Sequence, residues 1–145
     1  AAFRAELQPV GGVAAMLARL SLPRCVASSG ALEKIRSNLE LTGLLQYFEP
    51  NLFSAEMVAR GKPAPDLFLL AAATLASPPE RCLVIEDSVA GIEAACAAGM
   101  RVFGFCGAGH ARPGSAEALR AAGATQVFSR MQELPRLLAG PATRR

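Results

Sequence analysis

Short apolar runs alternate with longer helical patterns along this chain, and that alternation limits the possible fold more than any other feature of the sequence. Five runs have the length and composition of strands, at 24–28, 51–55, 81–86, 101–106 and 125–129. Helical periodicity covers the segments 10–20, 30–41, 65–76, 88–98, 114–122 and 130–139. Apolar strands separated by helices are typical of a parallel sheet covered on both faces. We therefore predict an α/β domain with a parallel sheet between two layers of helices.

The composition is that of one compact domain. Of the 145 residues, 52% are hydrophobic and 19% are charged, which excludes disordered and coiled-coil classes. The longest strongly apolar run, Leu67 to Ala76, is far shorter than the roughly 20 residues that span a bilayer. No secretory signal is visible in the sequence. We predict a single cytoplasmic domain over 1–145, with residues 141–145 as a tail and no membrane partner.

The charge pattern argues against nucleic acid as a partner. The net charge is +3, and the chain has one Tyr and no Trp. A basic surface interleaved with aromatic side chains, which single-stranded nucleic acid requires, is therefore absent from the sequence. Lysine is the rarer of the two basic residue types, with Lys34 and Lys62 as its two occurrences.

The four cysteines favour neither zinc nor disulfides. They have no CxxC spacing, and His110 is the one histidine that could join them in a metal site. Three of them lie in strand-like runs. We predict buried, reduced thiols at Cys25, Cys82, Cys96 and Cys106.

Small polar residues follow the first predicted strand, at Ser28, Ser29 and Gly30. A hydroxyl at a strand end, followed by the N–H groups that open a helix, can cradle an oxyanion or a phosphate. The alternative is an ordinary helix cap with a turn glycine.

A positioned lysine follows the second predicted strand, in the sequence Gly61-Lys62-Pro63-Ala64-Pro65-Asp66. Pro63 disfavours a helical conformation at Lys62, and Pro65 suits the first turn of the next helix. Lys62 is therefore held at a fixed place, where its ammonium group suits a phosphate or a carboxylate nucleophile. The alternative is a solvated lysine in a proline-rich loop.

Two adjacent carboxylates, Glu86 and Asp87, follow the third predicted strand. Carboxylates at the end of a buried strand are costly unless they are paired or bind a cation, and Mg²⁺ prefers oxygen ligands. The alternative is that Asp87 caps the helix and Glu86 lies on the surface. Because the carboxyl ends of parallel strands share one edge of a sheet, we expect Ser28, Lys62 and Asp87 to converge there.

These motifs together resemble the haloacid dehalogenase-like hydrolases, and most closely their β-phosphoglucomutase and sugar-phosphate phosphatase branch. The resemblance runs from about Leu7 through VASSG, GKPAPDLF and VIEDSVAGIEAACAAGM to GFCGAGH, which is most of the chain. It implies a Rossmann-like core that acts as a Mg²⁺-dependent phosphatase of small phosphorylated metabolites. A sugar-phosphate mutase and a non-catalytic module that binds phosphate, metal or a protein are the alternatives.

The resemblance also implies a role for each motif residue. Ser28 would donate a hydrogen bond to the phosphoryl group, with help from the backbone of Ser29 and Gly30. Lys62 would neutralise charge between the nucleophile and the phosphate. Asp87 would bind Mg²⁺, with Glu86 as a second ligand or as a partner of the ligands.

The sequence departs from the family in one respect. The family's nucleophile is the first Asp of a DxDG motif at the end of an N-terminal strand, and a second Asp acts as general acid and base. The aspartates of this chain are Asp66 and Asp87, so we expect the chain alone to be inactive. Residues 1–6 are expected to be the last trace of the family's helical cap.

A core without its first strand would have an open slot beside the strand that ends at Ile85. We expect either that a segment from another chain or a separate piece fills the slot, or that 24–28 pairs directly with 82–86. Unpaired backbone groups at such inner edges are costly and invite self-association.

Overall fold

The computed structural model of the chain describes residues 2–3, 22–107 and 113–138. The described strands are β1 (Ala2–Phe3), β2 (Val26–Ser28), β3 (Leu52–Ser54), β4 (Leu83–Glu86), β5 (Arg101–Phe105) and β6 (Gln126–Phe128). The described helices are α1 (Leu32–Leu41), α2 (Asp66–Thr74), α3 (Val89–Ala97), α4 (Ser115–Ala122) and α5 (Leu134–Leu138). Short 3-10 turns lie at Leu45–Tyr47, Ala55–Met57, Pro79–Arg81 and Met131–Glu133. The helix predicted over 10–20 lies outside the described residues, as does His110.

Every described strand pairing is parallel. Four strands form a sheet in the order β1-β4-β5-β6, and β2 pairs with β3 in a second ladder. Strand β1 also contacts β2, so the two ladders lie side by side. The predicted parallel α/β architecture is confirmed, and the carboxyl ends of the strands share one edge.

Neither outcome expected for the slot is observed, because 24–28 does not pair with 82–86 and the residues paired with β4 on that side belong to this chain. In the structure Ala2 and Phe3 pair with Val84 and Ile85 on that side of β4, while β2 pairs with β3. Ala2 and Phe3 therefore belong to the sheet, and the assignment of residues 1–6 to a trace of the cap stays a prediction. The physical reason is that a strand edge beside the core is costly to leave unpaired, and the chain itself supplies a partner.

Two apolar clusters cover the two faces of the sheet. One includes Val84, Val102 and Leu67 with side chains of α3, and the other includes Ile85 and Phe103 with side chains of α1 and α5. Neighbouring residues of one strand thus enter opposite clusters, as expected for strands buried on both faces. The prediction of helices on both faces is confirmed.

Helix α3 begins and ends where its sequence predicts. The Ser88 side chain accepts a hydrogen bond from the Gly91 N–H at 3.0 Å, which caps the first turn. Gly99 follows the helix with a positive φ of 79°, a conformation that costs glycine little. Ser88 thus fixes the start of the helix directly after the end of β4, and Gly99 lets the chain turn away after the last turn.

The cysteines differ more in exposure than predicted. Cys25 is 2% exposed, and its burial raises the pKa of the thiol from 9.0 to about 11. Cys82 and Cys106 are half-buried, and Cys96 is exposed. The prediction of buried thiols is therefore wrong for Cys96, because it lies on the outer side of α3, facing the end of α4.

In the described part of the chain, none of the four cysteines forms a disulfide. Among the described helices, none is long and apolar enough to cross a membrane.

Candidate active site

The predicted site residues lie at one edge of the sheet. Ser28 ends β2, Glu86 ends β4 with Asp87 directly after it, and Lys62 lies in the loop between β3 and α2. The Lys62 ammonium group joins the two strand ends, since it donates to the Ala27 carbonyl oxygen at 3.0 Å and forms an ion pair with Glu86. These residues therefore lie at the common edge that the sequence predicts, while the roles predicted for them stay predictions.

Lys62 is buried at this junction and is not a solvated loop residue. Its side chain is 2% exposed, and that of Glu86 is 1% exposed. The ammonium nitrogen also lies 5.0 Å from the centre of the Phe68 ring, where a cation is attracted to the aromatic face. An opposite charge, a carbonyl and a ring together offset the cost of removing the ammonium from water. The lysine head is thus fixed in position.

The start of α3 packs directly on the Glu86 carboxylate. The Glu86 Oε2 atom is bound to Lys62, and the Glu86 Oε1 atom accepts a hydrogen bond from the Ser88 hydroxyl at 3.2 Å. A Cβ atom at Gly91 would lie 2.1 Å from the Glu86 carboxyl carbon. The interpretation of Glu86 as a surface residue is therefore wrong. Gly91 has a specific role that the sequence analysis missed, although a glycine in a helical first turn was the available signal.

Asp87 lies half-buried in the turn between β4 and α3. Its Oδ1 atom is shielded from solvent, and the cap of α3 is Ser88 and not Asp87. A shielded carboxylate oxygen is favourable chemistry for a hard cation. In residues 2–3, 22–107 and 113–138, no group of three or more His, Cys, Asp or Glu side chains could hold a metal ion. The donor set fits Mg²⁺ bound through one carboxylate together with phosphate oxygens and water.

The turn after β2 presents Ser28. The Gly30 N–H donates to the Ser28 Oγ at 3.1 Å, so the Ser28 hydroxyl proton is directed towards a different acceptor. The residue that precedes α1 as its N-cap is Ala31, without a side-chain cap. Ser28 is thus not a helix cap, although its hydrogen bond with Gly30 is a local turn contact, and its role in binding phosphate stays a prediction. Ser29, between them, is exposed.

Two further residues hold this turn from the neighbouring strand, and the sequence analysis missed both. The hydroxyl of Ser54, which ends β3, donates to the Gly30 carbonyl oxygen at 2.7 Å. The Ser54 hydroxyl oxygen accepts from the Glu56 N–H at 3.1 Å, and the Glu56 carboxylate accepts from the Leu32 N–H at 3.1 Å. A serine at the end of an apolar run was the one signal that could have marked them.

The arrangement suits a phosphoryl group. The ammonium of Lys62 has three N–H bonds, and two of them donate to Ala27 and Glu86, so within the described residues one remains for a ligand. The Ser28 hydroxyl, at the end of the same strand as Ala27, supplies a second donor at this edge. Positive charge and fixed donors at one strand edge stabilise anionic oxygens, and Asp87 next to them can bind the cation that accompanies a phosphate.

Comparison with known proteins identifies relatives of the chain by sequence. The sequence model of the haloacid dehalogenase-like hydrolases matches residues 1–99. The chain is 37% identical over 111 residues to 6-phosphogluconate phosphatase of Escherichia coli, covering 77% of this chain and 50% of that protein. It is 38% identical over 95 residues to hexitol phosphatase A of the same organism, covering 63% of this chain and 43% of that protein.

Solved structures show the same fold. A haloacid dehalogenase-like protein from Agrobacterium tumefaciens superposes with a TM-score of 0.89 at 45% identity, covering 93% of this chain and 62% of that one. A hydrolase from Deinococcus radiodurans with bound phosphate and sodium superposes with a TM-score of 0.84 at 36% identity, covering 90% and 58%. The chain thus spans about half the length of these curated relatives and under two thirds of these structures.

Proposed function

The chain belongs to the haloacid dehalogenase-like hydrolases, and from that premise we propose that it is the core of a Mg²⁺-dependent phosphatase acting on small phosphorylated metabolites. The observation that carries the proposal is the Lys62 ammonium held between the ends of β2 and β4. Its two partners, Ala27 and Glu86, directly precede Ser28, which is expected to bind phosphate, and Asp87, which is expected to bind the metal. The curated relatives named as phosphatases support the reaction class.

In this proposal the residues of the chain bind and orient the phosphoryl group. Lys62 donates its third N–H to a phosphoryl oxygen, and its positive charge offsets charge that develops in the transition state. Ser28 donates its hydroxyl proton to a second oxygen. Glu86 keeps Lys62 in place and does not touch the substrate. Asp87 holds Mg²⁺, which when bound neutralises charge on the phosphoryl oxygens.

The covalent step needs a nucleophile that these residues do not supply. Asp66 lies in the first turn of α2 and pairs with Arg60 at 3.3 Å, and Asp87 is assigned to the metal. We therefore place the nucleophilic aspartate outside these 145 residues. In the complete protein its carboxylate would attack phosphorus as the bond to the departing alcohol breaks, and water would then release phosphate from the aspartyl-phosphate.

The binding part of the proposal is tested by titrating the chain with inorganic phosphate in the presence of Mg²⁺ and following backbone amides by NMR. We expect the Ser29 and Gly30 amides to shift on binding. Ser28→Ala removes a donor to a charged oxygen and should weaken phosphate binding about tenfold. Ser37→Ala, the same change on an exposed position of α1, should have no effect. Equal affinity in wild type and Ser28→Ala would contradict the proposal.

Turnover tests the placement of the nucleophile. The 145-residue chain with Mg²⁺ should not hydrolyse a generic phosphate monoester. Robust hydrolysis that is lost in Lys62→Ala or Asp87→Asn would show that the chain holds a nucleophile that we have not identified. Reading the coding sequence upstream of Ala1 separates the alternatives, because an in-frame apolar strand that ends in DxDGT supports the enzyme. A start codon with no such strand supports a binding module.

A further inference from the structure

We propose that Ser54 and Glu56 are positioning residues that hold the turn after β2 in the conformation that presents Ser28; its consequence for phosphate binding rests on the proposed function. We name these two residues the β3 clamp. The motif-bearing residues of the site lie on β2, β4 and the Lys62 loop. The clamp lies on none of these, and it contacts the turn from the adjacent strand.

The clamp consists of three hydrogen bonds in series. The Ser54 hydroxyl donates to the Gly30 carbonyl oxygen at 2.7 Å and accepts from the Glu56 N–H at 3.1 Å. The Glu56 carboxylate then accepts from the Leu32 N–H at 3.1 Å. The turn is thus held on both sides of Ala31, at the Gly30 carbonyl and at the first N–H of α1.

Burial makes the Ser54 part of the clamp specific. Ser54 is 0% exposed, so its hydroxyl oxygen cannot exchange the Gly30 carbonyl for water without opening the structure. Glu56 is exposed, yet its carboxylate reaches the N-terminus of a helix whose N-cap residue, Ala31, provides no side-chain cap. A carboxylate there satisfies an N–H group and is favoured by the helix dipole. Ser54 therefore satisfies the Gly30 carbonyl oxygen, and Glu56 satisfies the Leu32 N–H.

The link to Ser28 passes through Gly30. Its carbonyl is held by Ser54, and its N–H donates to the Ser28 Oγ at 3.1 Å. Fixing the carbonyl side of Gly30 restricts the rotation of the residue whose N–H orients the Ser28 hydroxyl. Ser54 is therefore expected to act on Ser28 across two hydrogen bonds, without itself touching a substrate.

Amide hydrogen exchange and phosphate titration of the full 145-residue chain test the inference. In Ser54→Ala we expect exchange of the Gly30 amide to quicken about tenfold, as local opening becomes easier. The Val26 amide, which donates to Asn51 at the other end of the same ladder, should be unchanged. The affinity for inorganic phosphate should fall about fivefold, the size expected when one neutral hydrogen bond is lost. Ser54→Thr, which retains the hydroxyl, should restore both.

Two further variants serve as a second probe and a control. Glu56→Ala, at an exposed position that tolerates change, should release the Leu32 amide, while Glu56→Gln retains an acceptor and should protect it. Thr42→Val removes a hydroxyl that bonds the Asn38 and Leu39 carbonyls at the other end of α1, and it should leave Gly30 exchange and phosphate affinity unchanged.

The outcomes separate the clamp from the proposed function. Unchanged Gly30 exchange in Ser54→Ala, or equal acceleration at Gly30 and Val26, overturns the positioning role. If the wild-type chain shows no response to phosphate, the proposed function fails. Gly30 exchange still decides whether the clamp holds the turn in that case, since it is measured without ligand.

Discussion

The two strand ends that meet at Lys62 are built in different ways. At the end of β4 the Glu86 carboxylate is buried, and Lys62, Ser88 and the first turn of α3 at Gly91 enclose it. At the end of β2 the Ser28 side chain is half-buried and Ser29 is exposed. There the backbone of the turn is held from outside, by hydrogen bonds from the β3 clamp.

This difference in burial indicates that the two strand ends have different roles in the site. A buried charge must be paired and enclosed, so residues at the β4 end are committed to one another. The β2 end is instead fixed through its backbone, so the half-buried Ser28 side chain is not needed for that support. Substitutions at the β4 end should therefore cost stability first, and substitutions at the β2 end should cost binding first.

The largest effect is expected when the ion pair is broken. Lys62→Met leaves the Glu86 carboxylate buried without its cation, which should lower the free energy of unfolding by about 3–5 kcal/mol. Urea denaturation measures this change. Lys34→Met is a matched control, because Lys34 is the other lysine of the chain and is exposed on α1. The double variant Lys62→Met/Glu86→Gln should recover part of the loss. If the two lysine variants lost equal stability, the β4 end would not depend on its buried ion pair as we describe.

The next effect concerns the enclosure of Glu86. Gly91→Ala would place a Cβ atom 2.1 Å from the carboxyl carbon of Glu86, so that the carboxylate or the helix must move. Overpacking of this kind should cost about 2–3 kcal/mol, measured by the same denaturation. At Gly61 an added Cβ meets the Ala55 Cβ at an ordinary 3.6 Å, so Gly61→Ala should stay near wild type. A Gly91→Ala protein as stable as Gly61→Ala would show that this contact is not tight.

The smallest expected effect on stability tests whether the start of β2 is as accessible to solvent as its end. Cys25 lies just before β2, and burial raises the pKa of its thiol from 9.0 to about 11. Above pH 9 the unfolded chain loses this proton while the folded chain keeps it, so stability falls as pH rises. The free energy of unfolding should drop by about 1 kcal/mol between pH 8 and pH 10 on this account.

Cysteine variants separate the contribution of Cys25 to this pH dependence from the contributions of other titrating groups. Cys25→Ala should remove the Cys25 part of the pH dependence, and Cys96→Ala, at an exposed thiol, should retain it. If Cys25→Ala and wild type lose stability in parallel, the start of β2 is more open to water than its burial indicates.

The sequence located the elements well because their signals are local. Apolar runs bounded by Gly, Pro and Ser residues placed β2 to β6 and the described helices to within a few residues, and the Ser88 cap is a direct reading of helix chemistry. The common edge of Ser28, Lys62 and Asp87 also followed, since it needs only parallel strands.

The contacts between those elements could not be read in the same way. Sequence marked Lys62 and Glu86 separately, but their ion pair depends on how the loop after β3 folds back across the end of β2. The close approach of α3 at Gly91 and the bond from Ser54 to Gly30 depend on distances between elements far apart in the chain. The pairing of Ala2 and Phe3 with β4 likewise has no local pattern, because two residues carry too little periodicity.

The pairing of Lys62 with Glu86 also shapes the electric field that an approaching substrate meets. The two charges sum to zero, so from a distance the pair acts as a dipole whose field weakens faster than that of a lone cation. A phosphate in bulk water is therefore not drawn in by Lys62 over a Debye length of about 8 Å at physiological ionic strength. The lysine acts by contact, once the phosphate has arrived, and the rate of arrival depends on other charges at that edge.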